Sequence, residues 1–134
     1  MAGVDLPAGR VVEGAFTRDG GYAAARRLIS QGAPATCIFA TTDVMAIGAM
    51  AAFREHGLRV PGDLSLAGFD DIPIVADLSP PLTTVRLPLT EMGERVMALV
   101  LRDRPDGRGR SRMERVGGEV VLRGSTAPPQ RKRE

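Results

Sequence analysis

The sequence predicts an α/β fold in which a parallel sheet carries helices on its faces, and three observations lead there. Short apolar runs alternate with segments of helical period. The run Leu64-Ser-Leu-Ala67 is of the sort that suits a strand covered on both faces. Glycine closes the helical segments at Gly32 and Gly57. Parallel strands need long crossovers, and helices are the usual ones, so this alternation implies a parallel sheet.

Taken in order, Val11-Val12 reads as a first short strand. Arg18-Asp-Gly-Gly-Tyr22 then leads into Ala23-Ala-Ala-Arg-Arg-Leu-Ile29, a strong helix former. Residues 36–40 make a second strand, Thr41-Thr42-Asp43 supplies helix caps, and Val44 to His56 carries Met45, Ile47, Met50 and Phe53 on a helical stripe. Pro61-Gly62 turns the chain into a third strand, Leu64 to Gly68. The loop 70–82 is expected to hold a short helical turn at Ile74 to Leu78, and Thr83-Thr-Val-Arg86 is a β-branched fourth strand. Pro88 suits the first turn of a helix over about 89–101, whose Leu89, Met92, Val96, Leu99 and Val100 share one stripe. Arg102 to Gly109 reads as a charged loop, Glu119 to Leu122 as a last strand, and the basic segment 130–134 as a disordered tail.

A length of 134 residues bounds the chain to one core, and 43% hydrophobic with 25% charged residues fits a globular protein. The net charge of +2 is mild, and the late arginine clusters are not interleaved with aromatic residues, so direct nucleic-acid recognition is not indicated. Cys37 lies in an apolar stretch and, as the one cysteine, has no internal disulfide partner, which fits a reducing compartment. The first residues lack a basic segment followed by an apolar core, and no window approaches the ~18 apolar residues of a membrane span. A cytoplasmic location without membrane association is the expectation.

In an open parallel sheet, ligands bind beyond the carboxyl ends of the strands. Phe16 follows the first strand, Thr42 and Asp43 the second, Asp70 and Asp71 the third, and Arg86 ends the fourth. One aromatic face, several oxygen acceptors and a guanidinium can therefore meet at one edge, which is how a small polyhydroxylated molecule is held. Each residue has a second reading beside this one. Asp43 can cap the helix that follows with Thr42 assisting, one of Asp70 and Asp71 can cap the following turn, Phe16 can be core, and Arg86 can pair with an aspartate.

Catalysis is not indicated. His56 is the one histidine, it lies near a helix end, and no serine or cysteine pattern accompanies it. Clustered zinc ligands and a phosphate loop with its lysine are both missing, so neither a metal nor another cofactor is expected. A magnesium-dependent phosphoacceptor built on Asp70-Asp71 is disfavoured by the apolar, proline-rich loop that follows.

Four ordered motifs carry a family resemblance. Ile38-Phe-Ala-Thr-Thr-Asp-Val-Met-Ala-Ile-Gly48, Gly57-Leu-Arg-Val-Pro-Gly-Asp-Leu-Ser-Leu-Ala-Gly-Phe-Asp-Asp-Ile-Pro73, Pro80-Pro-Leu-Thr-Thr-Val-Arg86 and Arg123-Gly-Ser-Thr126 closely resemble the effector-binding domain of LacI/GalR-type bacterial transcription regulators. The resemblance runs from about Val11 to Pro129. It implies a type I periplasmic-binding-protein-like sensor of two hinged α/β subdomains, a cleft for a sugar or related effector, and a homodimer. Phe16 matches the family's stacking aromatic and Asp70 its cleft aspartate, while Thr42 stands where an asparagine is usual and reaches less far. Met45, Met50, Phe53 and Leu78 match the dimer-forming surface, with ordinary core as their other reading.

Against that family, residues 1–129 correspond to an incomplete domain, mostly the carboxyl-terminal subdomain. The helix at 89–101 would pack on the absent amino-terminal subdomain, and an inner strand beside Val11-Val12 is missing. Operator DNA would be reached only through a helix-turn-helix that these residues do not contain. The expectation is thus the ligand-sensing and dimerising portion of a sugar-responsive repressor. A periplasmic sugar-binding protein of a transport system and a nonfunctional remnant are the rival readings.

Overall fold

The computed structural model describes residues 6, 8–32, 35–102 and 113–129. The tail at 130–134 and most of the loop expected at 102–109 lie outside the described residues.

The first helix, α1 (Arg18–Ser30), starts at Thr17, whose side chain accepts the Gly20 N–H at 2.9 Å. It ends before Gly32, which takes the left-handed conformation at φ +59° that ends helices with least strain. Helix α2 (Asp43–Glu55) starts in the same way, with the Thr42 hydroxyl accepting the Met45 N–H at 3.2 Å. The two helices approach until a Cβ on Gly48 would sit 1.8 Å from the Arg18 carbonyl oxygen, and one on Gly21 would sit 2.1 Å from that of Met45. Hydrogen at both positions lets the backbones touch. Beside this contact, the Tyr22 hydroxyl donates to the Glu55 carboxylate.

Three strands run parallel as predicted. β1 (Cys37–Phe39) pairs with β2 (Ser65–Ala67) in the register Ile38 opposite Leu66. Parallel bridges Ala67 to Thr83 and Asp70 to Arg86 carry the sheet on to β3 (Thr84–Arg86). Two features depart from expectation. The last strand, β4 (Glu119–Val121), runs antiparallel to β3, and Val11-Val12 belongs to no strand. A strand exists only through its ladder, and the described residues offer Val11-Val12 no adjacent strand to pair with, so β-branched composition alone does not make it one.

The core lies between α2, β2 and the loop after β2. Phe53, Leu66, Leu82 and Val75 are essentially inaccessible, each contributing about 1.5–3 kcal/mol of apolar burial. Val75 belongs to a short 3-10 turn, Pro73–Ala76, close to the predicted position, and its carbonyl accepts the Leu82 N–H at 3.0 Å. This packing corrects the assignment of Phe53 and Met45 to a dimer surface. Phe53 is 1% exposed and Met45 8%, so the chain's own core takes up both side chains. Met50 and Leu78 are half-buried against the same cluster, while Val44 on α2 and Ile74 in the turn are exposed. A helical stripe does not say whether its cover comes from the same chain or from another.

The last helix, α3 (Leu89–Arg102), forms where Pro88 and the apolar period place it. Its Leu89, Val96 and Val100 are more than half exposed.

Candidate functional site

The edge beyond the carboxyl ends of β2 and β3 holds an open cleft of about 560 Å³. It is lined by Asp70, Asp71 and Arg86, by Leu87 to Thr90 and by Glu91 and Glu94 of α3. Asp70 and Asp71 both have positive φ, +117° and +56°, a conformation that aspartate tolerates better than most residues and that needs support from around it.

Three anchors supply the support. The Asp70 N–H donates to the Val85 carbonyl at 2.9 Å, which fixes the backbone against β3. Asp43, fully buried at the first position of α2, accepts the Ile72 N–H at 2.9 Å through one oxygen and the Thr84 hydroxyl at 2.6 Å through the other. The Asp71 carboxylate, 8% exposed, accepts from Arg86 Nε and from an Arg123 terminal nitrogen, both at 2.6 Å. Burial works to raise the Asp71 pKa, but the two guanidiniums outweigh it and hold the carboxyl below the usual range. Arg123 also donates to the Leu82 carbonyl at 2.9 Å, so a single side chain joins the end of β4, the start of β3 and the acidic loop.

Asp70 is different, because no described hydrogen bond reaches its carboxyl group. Burial first, and the nearby Asp43 charge second, raise its pKa. A carboxyl on an anchored backbone, unpaired among the described residues and lining a cleft, suits adjacent hydroxyls of a small molecule, with the half-exposed Arg86 and with Glu91 and Glu94 as further polar groups. Among the described residues, no group of three or more His, Cys, Asp or Glu side chains is arranged to hold a metal ion.

The predicted site residues therefore separate. Asp70, Asp71 and Arg86 meet in the cleft, as the strand-end rule expects. Asp43 does not reach it, because both of its oxygens are used inside, and its role differs from simple capping, which falls to Thr42. Phe16 is 75% exposed just ahead of α1 and, with Thr42, is not part of the cleft lining. Sequence reasoning missed Arg123 and Ser125. Ser125, fully buried, receives the Thr83 N–H at 2.8 Å and donates to the Leu66 carbonyl at 2.6 Å, joining β2 to β3. The signal available was the motif Arg123-Gly-Ser-Thr126 itself, a small polar cluster directly after a strand.

Comparison with known proteins agrees with this architecture. Residues 1–126 match the periplasmic binding protein-like domain family. The HTH-type transcriptional regulator MalR of Streptomyces coelicolor is 40% identical over 124 residues, which cover 84% of this chain and 32% of MalR. Among solved structures, a sugar-binding LacI-family transcriptional regulator from Escherichia coli, complexed with phosphate, superposes with a TM-score of 0.78 at 34% identity, over 94% of this chain and 45% of that one. A LacI-family regulator from Enterococcus faecium with bound ribose gives a TM-score of 0.76 at 28% identity, over 94% and 47%. The chain spans about a third of the length of the curated relative. Sheet order, the loop anchored beyond β2 and the family match over nearly the whole sequence lead to one assignment: the chain belongs to the periplasmic-binding-protein-like domain family, in the form found in LacI-type transcription regulators.

Proposed function

We propose that the chain is the ligand-sensing and dimerising portion of a LacI-type DNA-binding transcription regulator, a repressor that responds to a sugar or related polyhydroxylated molecule. The unpaired Asp70 carboxyl, held at the carboxyl edge of a parallel sheet, carries this reading. Ribose in the E. faecium relative and the printed description of the E. coli one as sugar-binding support the ligand class. In this reading Asp70 accepts ligand hydroxyls and Arg86 contributes its remaining donors. Asp71 and Asp43 keep the loop in place, and Phe16 and Thr42 join the ligand from the neighbouring loops. Residues 1–129 form part of the effector-binding domain, with α3 turned toward the companion subdomain. Dimerisation uses the outward side of α2 and the turn around Leu78. Operator DNA is contacted by a helix-turn-helix outside these residues, and the protein works in the cytoplasm.

Thermal melting with a panel of pentoses, hexoses, disaccharides and nucleosides tests the proposal. A true ligand at a hundredfold excess over its Kd stabilises the native state by about 2.7 kcal/mol. The Asp70→Asn variant, which keeps the loop geometry, should lose that response. A shift of equal size in wild type and variant would remove Asp70 from the site, and no shift with any member would sink the sugar assignment.

A further inference from the structure

The cleft beyond β2 and β3 carries more negative charge than its ion pairs cancel. Asp70, Asp71, Glu91 and Glu94 line it together with one guanidinium, Arg86. Asp71 is held between Arg86 and Arg123, both at 2.6 Å, and a terminal nitrogen of Arg86 lies 3.8 Å from Glu119 on β4. Two guanidiniums and two carboxylates thus balance one another. Glu91 pairs with Arg95 one turn further along α3, and Arg95 is shared with Glu114 at 3.8 Å. Asp70 and Glu94 remain, and among the described residues neither forms an ion pair.

The start of α3 works in the opposite direction, because a helix N-terminus carries a positive partial charge of about half an elementary charge. Two features weaken it here. Glu91 stands in the first turn, and the N–H groups of Leu89 and Met92 are used by the Leu87 and Pro88 carbonyls, both at 2.9 Å. Two uncompensated carboxylates therefore outweigh the helix start. Salt does not separate them, since a cleft of about 560 Å³ is of the order of one Debye length across, about 8 Å at physiological ionic strength.

We propose that Glu94 is a specificity-determining residue which, together with Asp70, makes the cleft reject anionic ligands, so that phosphorylated sugars and sugar acids are excluded. This rests on the reading of the Asp70 edge as a sugar site and narrows the ligand to one without negative charge. Phosphate and carboxylate are ordinarily received by a guanidinium fork. Here the fork of Arg86 is already engaged by Asp71 and Glu119, and its remaining donors suit hydroxyls rather than a full negative charge. Hydroxyl groups, by contrast, need acceptors, and ionised Asp70 and Glu94 offer nothing else. Setting like charges against the wrong ligand is a way to gain specificity without any new contact to the right one. Glu94 is exposed on α3, so its replacement alters the charge of the cleft without disturbing the core.

The first test needs no effector. Two nitroxides of the same shape, the cation aminomethyl-PROXYL and the anion carboxy-PROXYL, are added in turn to the full chain, and relaxation of the Asp70, Leu87 and Thr90 amides is compared. The cation should relax them at least about threefold more than the anion, as a surface potential of a few kT requires. Glu94→Gln should narrow that ratio, and Glu94→Lys should bring it to about one. A wild-type ratio at or below one, or a ratio that neither variant moves, overturns the proposal. Thermal melting then compares ribose with ribose 5-phosphate and glucose with glucose 6-phosphate. A parent sugar that raises the Tm should lose the effect when phosphorylated and regain part of it in Glu94→Lys, whereas an ester that stabilises wild type at least as well as its parent overturns the charge filter. Silence from all four compounds counts against the sugar reading, while the nitroxide ratio still decides the filter.

Discussion

The half of the molecule built from α1, α2 and β2 and the half built from β4 and α3 form their secondary structure by the same local rules but are held in different ways. In the first, capped helices meet backbone to backbone at Gly21 and Gly48, and every buried carboxylate and hydroxyl oxygen has a named partner. In the second, α3 has a strongly amphipathic pattern, yet Leu89, Val96 and Val100 face solvent among the described residues. The difference teaches that periodicity suffices to form a helix, while position is decided by close contacts and by satisfied polar groups. Ion pairs such as Arg95 with Glu91 on α3 are exposed and contribute little, whereas the carboxylate of Asp43 is inaccessible and costly to leave unpaired.

The largest effect expected from this contrast is at Gly48. Gly48→Ala places a methyl group against the Arg18 carbonyl and forces α1 away from α2, at a cost of about 3 kcal/mol or more. Chemical denaturation should show a collapsed midpoint, and a midpoint near wild type would mean that the helices are not in backbone contact.

Next comes Asp43→Ala, which strands the Ile72 N–H and the Thr84 hydroxyl inside the protein. With about 1–3 kcal/mol for each of the two buried groups left unsatisfied, the loss should be roughly 2–6 kcal/mol. The loop holding Asp70 should also loosen, seen as faster amide exchange at Ile72. A stable variant with a rigid loop would show that Asp43 does not anchor it.

The effect of Asp71 depends on pH. Its folded pKa lies below the unfolded value, which is about 3.9, so its contribution is present above that value and is lost as pH falls through the folded pKa. Asp71→Asn should therefore lower stability by roughly 1–3 kcal/mol at pH 7 and have a progressively smaller effect as pH falls below about 4. Equal penalties at both ends of that range would remove the ion pairs with Arg86 and Arg123 as the cause.

The smallest effect is at Gly93, inside α3, where an added methyl meets nothing within 4 Å. Gly93→Ala should stabilise by up to about 1 kcal/mol through helix propensity alone. A loss at this position would show that the exposed helix is packed in solution and would weaken the contrast between the halves.

Much of the fold was legible from local pattern. Thr42 among the predicted caps, Gly32 and Gly57 as helix ends, Pro88 before α3 and the apolar runs of β1 and β2 each act within a few residues, so the sequence by itself determined the elements and, through their alternation, the parallel order of β1 to β3. The strand-end rule also brought Asp70, Asp71 and Arg86 to one edge. Only the tertiary structure decided what each polar group does there. Asp43 bonds across 41 residues to Thr84, Asp71 across 52 to Arg123, and Ser125 across 59 to Leu66, and no local periodicity encodes such distances. It likewise decided that Phe53 faces the chain's own core and that Val11-Val12 remains outside the sheet. Burial and strand pairing are relations between distant segments, and a residue's type states its capacity for them but not its partner.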